Sequence, residues 1–212
     1  MKKIWSVKGI IFIVYMVVLV ALIKSMFLDT PSFLFRFSKA LDQPSKPYHL
    51  LLERIYTLAQ EDDFVAEVKG YMVGPRLDAY GETFLRFAGV VGYRWASNDI
   101  RKCQSKLGEL NVHLILSMGL TGDAAFVPLL EELLENALQD KPLSVPAPTV
   151  AGALYLINGR TDYRFKNESG QIQRLILNTT LTEARKAITH SRGRKRTLEE
   201  MLILDRIYGL QE

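Results

Sequence analysis

From Pro47 onward, apolar residues recur every three or four positions, the period of an amphipathic helix. The N-terminal run behaves differently. Gly9 to Ile23 (GIIFIVYMVVLVALI) is uncharged and apolar all round, with Lys8 and Lys24 at its edges. At helical rise these fifteen residues cover about 22 Å, short of the roughly 30 Å hydrocarbon core of a bilayer. Lys8 and Lys24 extend the span by laying aliphatic stems along the helix and holding their ammonium groups among the headgroups. Ile4, Trp5 and Val7 before the run, and Met26, Phe27 and Leu28 after it, complete a predicted single transmembrane anchor over residues 1–28.

A cleaved signal peptide would need a small-x-small site after the apolar run, and ALIKSMFLD supplies none. No cysteine follows that could take a lipid. Lys2, Lys3, Lys8 and the α-amine precede the run, and Lys24, Arg36 and Lys39 follow it. That balance favours a cytoplasmic N-terminus and an extracytoplasmic C-terminal domain, periplasmic in a bacterium.

Residues 29–46 read as a juxtamembrane segment and linker. PSFLFRFSKAL sets Phe33, Leu34, Phe37 and Leu41 at helical spacing, which suits either a helix on the membrane surface or one packed on the domain. Pro44 and Pro47 mark the start of a helical domain over 47–212. Leu51, Leu52, Ile55 and Leu58 form one stripe. Asp62 or Asp63 starts a helix that Gly74-Pro75 ends, and Leu77, Tyr80, Phe84, Phe87 and Val91 line the next. Ser97 or Asn98 restarts the pattern, and Thr197 with Glu200 forms a capping box ahead of a final apolar helix. Strand signals are few, so the expected class is all-α.

Residues 111–138 carry an apolar helix, a Thr-Gly-Asp turn and an Asp-led helix with Pro128 in its first turns. Leu129, Leu130, Leu133, Leu134 and Leu138 form its expected buried stripe, with Glu131, Glu132 and Glu135 facing water. This stretch resembles a HEAT repeat. A partial second unit at 149–162 aligns Gly119 with Gly159 and Thr121 with Thr161, an offset of 40 residues. The resemblance implies a helical solenoid, either completed by divergent neighbours or reduced to one HEAT-like hairpin within a compact helical domain.

The net charge of +4 belongs to the anchor. Of 27 basic residues, four lysines lie within residues 1–24, where there is no acid; the other 23 balance the 23 acids. The remainder is formally neutral, which removes the charge argument for nucleic acid. Cys103 is the sole cysteine, so no intramolecular disulfide can form. It reads as a helix residue near solvent, although Arg101, Lys102 and Lys106 would favour its thiolate.

Candidate chemistry is thin. His49, His113 and His190 are far apart and have no metal-ligand spacing, and no phosphate loop or nucleophile elbow occurs; no metal or cofactor is expected. His113 reads as a satisfied helix residue, and Gly89 and Gly92 as small residues for close helix packing. Glu131, Glu132 and Glu135 read as a solvated face. Asn167 and Asn178 head glycosylation sequons that matter only in an ER lumen. HSRGRKR places Arg192, Arg194, Lys195 and Arg196 together, either as a solvated loop or as a contact for an acidic protein or anionic lipid.

The expected function is a non-catalytic, membrane-anchored scaffold or adaptor that binds a partner protein. The alternative is a membrane-anchored enzyme or small-ligand binder with a polar pocket between helices, drawn from Tyr80, Arg86, Tyr93, Arg94 and His113.

Overall fold

Side-chain caps set several helix starts in the computed structural model, which describes residues 14–16, 18–19, 29–41, 45–73, 77–92, 97–107, 110–139, 141, 143–167 and 169–210. Ser45 accepts from the Tyr48 amide ahead of α2 (Lys46–Leu58), after α1 (Pro31–Ala40). α3 (Asp62–Val73), α4 (Leu77–Val91) and α5 (Ser97–Leu107) follow. Asn111 caps α6 (Val112–Thr121), and Asp123 caps the short 3-10 turn leading into α7 (Val127–Leu138), with Pro128 in its first turn. After α8 (Ala147–Asn158), Asn178 caps α9 (Thr179–His190), and the Thr197–Glu200 box opens α10 (Leu198–Asp205). Each cap satisfies an amide that has no partner within its helix.

Helices carry the fold, as the all-α class predicts. One departure is an antiparallel hairpin, β1 (Arg164–Lys166) and β2 (Ile172–Arg174), with Phe165 opposite Gln173. Alternating apolar residues gave no warning of it, because Phe165 is its one buried side chain. Its turn is built instead by Asn167, whose Oδ1 accepts from the Ser169 and Gln171 amides, and by Gly170 at φ +74°.

α4, α6 and α8 lie side by side as one layer, with α6 in the middle. Small residues mark where they meet. A β-carbon on Gly89 would stand 2.8 Å from the Ser117 Cα, and one on Gly119 would stand 2.7 Å from the Ala153 Cα. The layer therefore cannot form at this spacing with larger residues. α5 packs over α4 and α6, whereas α7 packs against α8 and β1 rather than closing a tight pair with α6.

Each layer helix ends on a left-handed glycine: Gly92 at φ +73°, Gly122 at +70° and Gly159 at +79°. Gly122, not Gly119, is thus the structural counterpart of Gly159, and the offset is 37 residues rather than 40. Gly119 is helical and serves the contact with α8. The stripe on α7 is also narrower than expected: Leu130 and Leu134 are buried, while Leu129, Leu133 and Leu138 are half-buried.

α1 packs on α2, α3 and α4, so residues 31–40 belong to the core rather than to a free linker. Phe35 meets Phe84 and Phe87 edge-on at centroid distances of 5.0 and 5.5 Å. Just before α1, Arg54 grips Asp29 with two hydrogen bonds of 3.1 and 2.6 Å and ties the chain entry to α2. Cys103 is fully buried on α5, with its thiol 3.6 Å from the Met72 carbonyl, and is not a solvent-side residue.

Among the described residues, no helix is long and apolar enough to cross a membrane. The expected anchor, including Lys8, Gly9, Ile23 and Lys24, lies outside the described residues except at 14–16 and 18–19, which are helical.

Candidate functional site

The basic segment after α9 is divided between inside and outside. Arg196 is 3% exposed. Its Nη1 donates to the carbonyls of Gly89 and Val90 at 2.8 Å each, and its Nη2 donates to the carbonyl of Leu120 at 2.7 Å. Nε donates to Ser191 Oγ at 3.2 Å. One guanidinium thereby caps the C-termini of both α4 and α6, where unpaired carbonyls and the helix dipoles favour a cation. Burial still pushes its pKa down to about 10, with Glu200 partly opposing. Arg185 does the same for α8, donating to the carbonyls of Leu156 and Ile157 at 2.7 and 2.8 Å.

Arg196 is therefore unavailable to an acidic partner, contrary to the surface patch expected for it. Arg194 forms a two-pronged ion pair with Glu200, and Lys195 reaches Asp62 at 3.3 Å and the Gln60 carbonyl at 3.2 Å. Arg192 stays exposed. The loop is stitched to the corner between α2 and α3, and Gln60 Nε2 returns a hydrogen bond to the Arg196 carbonyl at 3.0 Å.

Beside this loop, α9 and α10 enclose an open groove of about 1200 Å³. Ala187, Leu198, Leu202 and Ile203 give it an apolar lining; Lys186 and His190 stand on the α9 side, with Glu199 and Arg206 on the α10 side. Glu183 and Arg206 bridge the two elements at 3.7 Å. The groove exists because α10 carries more apolar residues than one face can bury. Met201 and Leu204 point into the core, while Leu198, Leu202 and Ile203 remain half-buried. The final apolar helix expected from the sequence is thus packed on one side only. That surplus was the legible signal.

A second polar cluster sits between α2, α4 and α10. Arg86 donates to both oxygens of Asp205, at 2.8 and 2.7 Å, and Tyr56 donates its hydroxyl to Asp205. Burial opposes the Arg86 charge, but Asp205 outweighs it and holds the pKa above the ordinary value. Burial and the Asp205 charge push the Tyr56 hydroxyl well up. The guanidinium also lies over the Tyr208 ring at 5.0 Å, and His113 stacks on that ring's plane at 5.5 Å. Arg86 and His113, two members of the expected polar pocket, do come together. Tyr93, Arg94 and the Tyr80 side chain lie outside the described residues. Arg86 is committed to Asp205.

His113 Nδ1, Ser117 Oγ and the Tyr208 hydroxyl are buried with no hydrogen-bond partner among the described residues, which departs from the satisfied helix residue expected of His113. Burial lowers its pKa; Glu82, 3.9 Å from Nε2, raises it, and Arg86 lowers it further. No protein-family model, no curated protein and no solved structure matches the chain.

Proposed function

We propose that this chain is a single-pass, membrane-anchored, non-catalytic adaptor that holds a helix of a partner protein in the α9–α10 groove. The groove carries the reading: Leu198, Leu202 and Ile203 are left half-buried along it, the kind of apolar surface that the stripe of an amphipathic helix covers. Lys186 on the groove wall and the exposed Arg192 just past the end of α9 put positive charge on that side, where Glu183 is already paired with Arg206, so the occupant is a helix with an apolar stripe and an acidic edge. The uncharged run Gly9–Ile23 between Lys8 and Lys24 supports the anchor, and the lysine balance supports an extracytoplasmic domain. The side-by-side layer of α4, α6 and α8 supports a HEAT-like stack, by analogy of fold alone.

The test uses the full chain in its native membranes with a photoreactive residue at Leu202, or at exposed Glu132 on α7 as control. A discrete crosslinked product from position 202 alone is expected, and Lys186→Glu with Arg192→Glu should weaken it. Absence of any product specific to position 202 would end this reading. A reporter fused after Glu212 checks the membrane side.

A second reading, a binder of a small polar ligand, draws on the three buried polar atoms around Tyr208 that have no partner among the described residues. It requires a compound that raises the melting temperature and loses that effect in Tyr208→Phe.

A further inference from the structure

α1 has two faces of opposite character. Pro31, Leu34, Phe35 and Ser38, at positions i, i+3, i+4 and i+7, are buried against the domain. Phe33, Arg36, Phe37 and Ala40 repeat the same spacing and point away from it. The two outward rings are 38% and 46% exposed and stack on each other at 5.9 Å. Arg36 lies between them in the chain, Lys39 is exposed in the last turn, and residues 31–41 contain no acid. Aromatic rings beside cations, with no anion among them, are the side-chain set of an interfacial helix.

Position in the chain selects the occupant. Only Asp29 and Thr30 separate Leu28, the end of the proposed anchor, from Pro31. Two extended residues reach about 7 Å at most. The first turn of α1 therefore cannot leave the headgroup region, and the grip of Arg54 on Asp29 fixes the exit of the chain relative to α2. We infer that α1 is the membrane-seating element of this domain, laying Phe33 and Phe37 into the bilayer interface with Arg36 on anionic phospholipid. The inference rests on the anchor proposed above. It adds a fixed pose: with α1 packed on α2, α3 and α4, seating its outer face orients the whole domain, including the groove.

The full chain would be reconstituted in vesicles of three parts zwitterionic to one part anionic phospholipid, with a spin label at Phe33→Cys or Phe37→Cys and at Glu132→Cys as control. Cys103 is buried and does not compete for the label. The labels at 33 and 37 should show a several-fold lower collision rate with a water-soluble nickel relaxant than the label at 132, and a higher rate with oxygen. Water-like values at 33 and 37, in chains that float with the vesicles, would overturn the seating, leave the anchor intact and point to a protein covering the face. Failure of the chain to float would remove the anchor and the seating together. Since both rings are exposed, their replacement leaves the core unchanged, and an Arg36→Cys chain that floats provides a third labelled position on the same face.

Discussion

The guanidinium of Arg196 occupies the space that a β-carbon on Gly92 would fill. The left-handed glycine and the buried cation thus fit together as one unit. Gly92→Ala would both strain the backbone and displace the group that caps α4 and α6. Gly170 has the same sign of φ, +74°, but nothing within 4 Å of its β position. Urea unfolding should show Gly170→Ala losing about 1–2 kcal/mol, the left-handed cost alone, and Gly92→Ala losing clearly more. Equal losses would detach Arg196 from the effect.

Arg196→Met keeps the stem and removes every hydrogen bond to the carbonyls of Gly89, Val90 and Leu120. A loss of about 3 kcal/mol or more is expected, since several buried acceptors lose a charged donor together. Arg196→Lys should recover only part of it, because an ammonium cannot fork between two helix ends. Chemical denaturation of all three proteins decides this.

Two neighbouring glycines should respond in opposite directions. Gly119→Ala forces α6 from α8, where the Ala153 Cα lies 2.7 Å from the new carbon, and should cost about 1–3 kcal/mol. Gly152 is also helical, but its nearest neighbour would be Leu181 Cδ2 at 3.8 Å. Gly152→Ala should gain about 0.5–1 kcal/mol by restricting the unfolded chain. Melting temperatures that move in the same direction would refute the packing argument.

Stability should fall on mild acidification because of His113. Burial holds its folded pKa below the unfolded value, so the unfolded state takes up the proton first. The loss begins as pH drops through the unfolded value of about 6.5 and continues to the lower folded value. Glu82, Arg86 and Tyr208 are the groups that face it. Unfolding free energies between about pH 8 and pH 5 should slope downward for the native chain and flatten in His113→Gln. An unchanged slope in the variant would place the effect elsewhere.

Asp205→Asn should cost about 3–5 kcal/mol, because Arg86 stays buried without its counter-charge. Tyr56→Phe removes one hydrogen bond to the same carboxylate and should cost about 1 kcal/mol. A double-mutant cycle should give strong coupling between positions 56 and 205.

Local chemistry was the legible part of this chain. Asp123 and Thr197 with Glu200 announce their helices because a cap needs only a short polar side chain and an amide two or three residues on. Ile55 and Phe84 follow the stripe that buries them. Arg196 was illegible for the opposite reason. Four cations in five positions look solvated, and the acceptors that internalise one of them lie 76 to 107 residues away. The glycine punctuation was half legible: a glycine can end a helix or admit a neighbour, and spacing alone cannot separate Gly122, which does the first, from Gly119, which does the second. Of the groove, the apolar surplus on α10 was visible and its purpose was not, since a surplus shows only against a known inner face.

The reach of Arg196 also sets a schedule. The ends of α4 and α6 are made early and closed by a residue up to 107 positions later. At 5–20 residues per second, a ribosome leaves those ends open for roughly 5–20 s. During that interval the small-residue contacts of the layer can form but cannot lock. A nascent chain arrested between α8 and α9 would be a partly folded, protease-sensitive domain, and its last two helices act as the latch on everything made before them.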